Sequence, residues 1–182
     1  MSFAVVQNGE IRQMLQMDMP FTVGDKQYSS KFLRSSSAQE KLEAGVWEII
    51  DGPRADDRFY WVANATYRLN EVNSTVEASY SATSKQLEDT TETPEGATEP
   101  VITKGLKSQW IASTKDTANK LMATSDWMVI RKMERNVDIP AETAAYRAAV
   151  IAECTRLVAA ITAAADVPAL VAVLDAQNWP EA

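Results

Sequence analysis

Reactive chemistry in this 182-residue chain would have to come from carboxylates, a lone thiol or hydroxyls, because the sequence contains no histidine and one cysteine. The missing imidazole removes the commonest general base and metal ligand, and a single cysteine excludes an internal disulfide or a cysteine-rich zinc site. A pair of carboxylates about 5–10 Å apart suffices for glycoside hydrolysis, and Asp56-Asp57 is the nearest such pair in the chain. Adjacent residues of an extended segment point to opposite sides, however, and the preceding Gly52-Pro53-Arg54-Ala55 has turn composition, so a solvated turn is the favoured reading. Serine or cysteine nucleophiles need an oriented base. No GxSxG elbow occurs, and no Ser stands three residues before a Lys. Cys154 falls among Val150, Leu157 and Val158 on one helical face, where a thiol serves as a small hydrophobe.

Binding chemistry is equally sparse. Eighteen basic residues against 25 acidic give a net charge of −7, which disfavours nucleic acid, whose affinity depends on Lys and Arg displacing counterions. The six glycines form no phosphate-binding loop, so no cofactor is expected. Arg131-Lys132 with Arg135 is the one basic cluster, and cations near the end of a helix are explained by its dipole. Asn64-Ala65-Thr66 and Asn73-Ser74-Thr75 match the glycosylation acceptor pattern but carry no weight without a secretory signal. The run Phe59-Tyr60-Trp61 is less ordinary: strand alternation puts Tyr60 opposite its neighbours. One face then packs while the other meets a protein or a sugar, with packing the favoured role.

The elements that position these residues fall into two regions. Composition, with 46% hydrophobic and 24% charged residues, is that of a globular chain of one or two domains. No basic leader or apolar run of about 20 residues is visible, so a cytoplasmic protein outside the membrane is expected. In residues 1–83, short β-branched and aromatic runs alternate with turns. Asn8-Gly9 supplies the positive φ angles of a hairpin turn, further strands are expected at 21–23, 46–50, 58–63 and 75–80, and the short loops imply an antiparallel meander. Ser37 and Glu40 form a capping box and Gly45 a C-terminal stop, predicting one short helix over 37–44.

Residues 84–103 are acidic, Thr-rich and Pro-containing, the composition of an exposed linker. Residues 104–182 turn helical. A first stripe runs through Leu106, Trp110, Ala118 and Met122, and a second starts at Thr124-Ser125-Asp126. A third follows Pro140 through Tyr146, Val150, Leu157 and Ile161, and a short fourth opens at Asp166. Pairing the two long helices, with the second bridging them, would bury all three stripes, with Trp110, Trp127 and Trp179 as anchors. The expected fold class is therefore α+β: a small antiparallel β domain with one short helix, an acidic linker and a helical domain of about four helices.

Ser125-Asp126-Trp127 followed by Arg131, then Pro140, Tyr146-Arg147 and Trp179-Pro180, resembles the C-terminal domain of bacteriophage tail assembly chaperones and tail-fibre assembly proteins. The first region is similar to the companion region found upstream of it in phage tail genes, through Phe3-Ala-Val-Val-Gln-Asn-Gly9, Lys31-Phe-Leu33, Gln39-Glu-Lys41 with Gly45-Val46, and Asp56-Asp57-Arg58-Phe59-Tyr60-Trp61-Val62. The resemblance implies a non-enzymatic protein without cofactor or metal. It would bind a tail-fibre or other tail protein during assembly in the host cytoplasm, or remain in the virion tail as a fibre adaptor or baseplate accessory. A glycan hydrolase or glycan-binding module is the remaining alternative, and self-association is open. An assembly helper has to cover apolar surface or strand edges on an incomplete partner. The expected contacts are a strand edge at Phe3 and Val5, the aromatic face at Tyr60 and Trp61, and Trp127 with Arg131.

Overall fold

A computed structural model describes residues 2–96 and 98–181. The chain divides into two compact units, Met1–Thr83 and Ser84–Ala182.

The first unit is built on a five-stranded sheet in the order β2-β1-β5-β8-β7. Its members are β1 (Ser2–Gln7), β2 (Glu10–Leu15), β5 (Val46–Asp51), β7 (Thr66–Asn70) and β8 (Thr75–Ser79). Asn8 and Gly9 both take positive φ, 54° and 72°, and close the β1–β2 hairpin with Gln7 opposite Glu10. A second hairpin, β3 (Phe21–Val23) with β4 (Lys26–Tyr28), lies outside the main sheet, as does the pair β6 (Tyr60–Val62) and β9 (Ala82–Ser84).

The antiparallel meander is not what forms. β5 and β8 run parallel, Glu48 opposite Thr75 through Asp51 opposite Ala78, so the sheet is mixed. A parallel pair requires a long crossover, and residues 52–74 supply one, leaving β7 to fold back on β8 at the edge. There are also two short helices where one was expected, α1 (Phe32–Ser35) and α2 (Ala38–Glu43). The capping box is present at α2: Ser37 Oγ accepts from the Glu40 N–H, and the Glu40 carboxylate accepts from the Ser37 N–H at 2.7 Å.

Both faces of the sheet are covered. Phe3, Val5, Leu15 and Val46 pack with Phe21 and Leu33 on one face, while Ala4, Val6, Ile49, Val76 and Ala78 form a core on the other. Four consecutive buried residues in β1 follow from its interior position, since a strand covered on both faces loses the polar half of its alternation.

In the second unit, α3 (Leu106–Ala123) packs against α5 (Ala141–Ala163), and α6 (Val167–Asp175) closes on α5. Val150, Leu157, Ile161 and Leu170 are fully buried, each contributing roughly 1.5–3 kcal/mol. Asp166 caps α6 by accepting from the Ala169 N–H. α4 (Asp126–Arg135) joins α3 to α5 but has no buried residue, so the expected burial of three stripes reduces to two.

The acidic stretch is not a plain linker. It forms a hairpin of β10 (Thr90–Glu92) and β11 (Val101–Thr103), tied down at its base. There Leu106 and Lys107 donate backbone N–H groups to the carbonyls of Gln86 and Leu87, Asp89 accepts from the Gly105 N–H, and Lys107 pairs with Glu88. Gly105 is required by close approach, because a Cβ there would collide with the Glu88 carbonyl. The fold class is accordingly mixed α/β, a mixed sheet with several two-stranded sheets and six helices among the described residues, most of them C-terminal.

Candidate protein-binding surface

α4 is flanked by Ser125 before it and Asn136 after it, and Asn136 adopts the left-handed conformation, φ 54°, and returns its N–H to the Lys132 carbonyl. Asp126 in the first turn and Lys132 and Arg135 in the last suit the helix dipole. Ser125 makes no side-chain cap. Its hydroxyl instead donates to the Met122 carbonyl and accepts from Arg147 at 2.8 Å.

That arginine organises the region. Nη1 of Arg147, on α5, also donates to the Met122 carbonyl at 2.9 Å and to Asp126 at 2.8 Å, so one largely covered guanidinium fastens the end of α3 and the start of α4 to α5. The fastening turns outward the apolar side chains Trp127, 51% exposed, Ile130, and Met133, 83% exposed. Spaced three apart, they share one side of the helix. Arg131 lies over the Trp127 ring, 4.8 Å from its centroid, while Trp127 Nε1 donates to the Thr124 carbonyl. At the base of α4, on another side of the helix, Thr124, Ser125 and Met128 face Glu142, Thr143 and Tyr146 across a cleft of about 300 Å³.

The other expected contacts fare differently. Phe3 and Val5 are buried, and β1 is paired on both sides, so no strand edge exists there; the edges of the sheet are β2 and β7. The unbroken apolar run Phe3-Ala4-Val5-Val6 was the signal of an interior strand. Tyr60 is half-buried in β6 and Trp61 is 68% exposed. Phe59 is buried before the strand begins, its N–H bonded to the Asp56 carbonyl, so the three aromatics do not alternate as one strand. These residues belong to the first unit, whereas Trp127 and Arg131 belong to the second.

Asp56 is occupied: its carboxylate accepts from the backbone N–H, Nε and Nη2 of Arg58. Asp57 lies 4.0 Å from Arg54 on the surface. Among the described residues no three potential metal ligands cluster, and no helix is long and apolar enough to cross a membrane. Cys154 is half-buried, along the α3–α5 groove beside Ala118, Met122 and Ile151.

The Arg147 connection is the feature that sequence reasoning missed. Both residues belong to the motif, but Asp126 and Arg147 stand 21 residues apart, and only the fold brings them into contact. No known protein family, curated protein or solved structure matches this chain.

Proposed function

We propose that this protein is a non-enzymatic bacteriophage tail protein that binds a tail-fibre or other tail protein through α4 and assists fibre assembly or attachment. One observation carries the reading: the residues that resemble the tail-assembly family, Ser125, Asp126, Trp127, Arg131 and Arg147, gather at a helix fastened to the domain by its base with its apolar side left unburied. A rigid helix presenting Trp127, Ile130 and Met133 suits a partner with an apolar groove, where tryptophan and arginine commonly carry most of the binding energy. The cleft of about 300 Å³ at the base of the helix has room for an apolar side chain of that partner.

Co-expression with the tail-fibre protein of the same phage tests the reading. Soluble fibre trimer should appear when this chain is present and be lost with Trp127→Ala. Unchanged fibre yield and no complex in a pull-down would refute it.

A further inference from the structure

The same α4 face, taken as the partner site above, has a complement elsewhere in the chain. Residues 88–103 contain Glu88, Asp89, Glu92, Glu95 and Glu99 and no cation. Glu88 is paired with Lys107 and Asp89 with the Gly105 N–H, whereas Glu92, Glu95 and Glu99 have no ion-pair partner among the described residues. The hairpin that carries them stands as a two-stranded sheet, with Val101 exposed and Ile102 63% exposed. An isolated pair of strands is marginal in water and its free edges invite a further contact.

On α4 the charges are reversed. Asp126 is engaged by Arg147 and Lys132 by Asp138, which leaves Arg131 and Arg135 without a carboxylate and Glu134 without a cation among the described residues, two positive charges against one negative, beside exposed Trp127, Ile130 and Met133. Nε of Arg131 is moreover buried without an acceptor. One surface is thus acidic and apolar, the other basic on balance and apolar, and among the described residues the apolar side chains of both stay exposed.

We infer that two copies of this chain associate by reciprocal exchange, the β10–β11 hairpin of each lying on α4 of the other. Two-fold symmetry makes the contact twice, so Val101 and Ile102 are covered by Trp127, Ile130 and Met133 at both places, with Glu92, Glu95 and Glu99 facing Arg131 and Arg135. Each chain carries a net charge of −7, so overall repulsion opposes association and complementarity at the contact has to outweigh it. Self-association then occupies the face that a tail protein needs, and partner capture competes with it.

Sedimentation of the full chain at tens of micromolar tests this through a charge swap. The wild type should run at about twice 20.1 kDa. R131E/R135E makes helix and hairpin both acidic, E92K/E95K/E99K makes both basic, and each variant alone should be monomeric, with self-affinity reduced about tenfold or more. An equimolar mixture should dimerise again, because both contacts then join opposite charges. A monomeric wild type, variants that dimerise as the wild type does, or a mixture that stays monomeric would overturn the inference. Fibre pull-down by a monomeric chain would leave the proposed function standing without it, and dimerisation without fibre binding would do the reverse.

Discussion

Arg131 lies over the indole of Trp127, guanidinium carbon 4.8 Å from the ring centroid, on a helix that buries no residue. The pair forms a flat, partly desolvated plate on the surface of its unit. Cation–π contacts of this kind contribute about 0.5–1 kcal/mol when exposed and more once a partner excludes water, which suits the plate to an interface better than to a core.

Trp127→Ala should therefore separate binding from folding. Because the side chain is 51% exposed, the melting transition should shift little, within about 0.5–1 kcal/mol. Affinity for the fibre partner should fall by about 2 kcal/mol or more. Calorimetric titration beside a thermal melt checks both, and a large loss of stability would make Trp127 a packing residue.

Arg147→Ala should act on the fold. It strips acceptors at the Met122 carbonyl, Ser125 Oγ and Asp126 of a partner they share, at a cost of about 1.5–3 kcal/mol, as for hydrogen bonds to a charged group. Urea unfolding reads this directly. Hydrogen exchange should show α4 opening first, and partner binding should weaken because the helix is no longer held.

Phe3→Ala should cost about 3–5 kcal/mol, since Phe3 is buried in the core with Leu15 and Val46. Any loss of partner binding should follow the unfolded fraction. A folded Phe3→Ala protein that fails to bind would restore β1 as a contact.

Low pH should weaken the second unit. Hydrogen bonds from Arg156 hold the Glu153 carboxyl below its ordinary range, with the Asn178 N–H acting in the same direction and burial opposing. Asp89 is held down likewise by the Ser108 hydroxyl and the Gly105 N–H. A carboxyl depressed in the folded state contributes its full stability above the unfolded value, about 4.3 for Glu and 3.9 for Asp, and loses it as pH falls through the lower folded value. Melts of wild type and Glu153→Gln should therefore differ most near neutrality and converge only as pH falls through the lowered value of the folded carboxyl.

What could be read along the chain was what local chemistry dictates. Asn8-Gly9 turns, Ser37 and Glu40 cap, Asp166 starts a helix, and the long stripes of α3 and α5 form helices because each depends on groups within a few residues. Which surfaces meet was decided only in three dimensions. The parallel pairing of β5 with β8 depends on residues 52–74 looping away and back, and the strands inside the acidic stretch depend on Gly105 and Lys107 fastening its base. Periodicity revealed that α4 has an apolar side, but not whether anything lies against it. Arg147 answers that by drawing Ser125 and Asp126 to α5 and leaving Trp127, Ile130 and Met133 outside. A hydrophobic pattern records that a face favours burial, whereas the partner that buries it comes from residues distant in sequence or from another molecule.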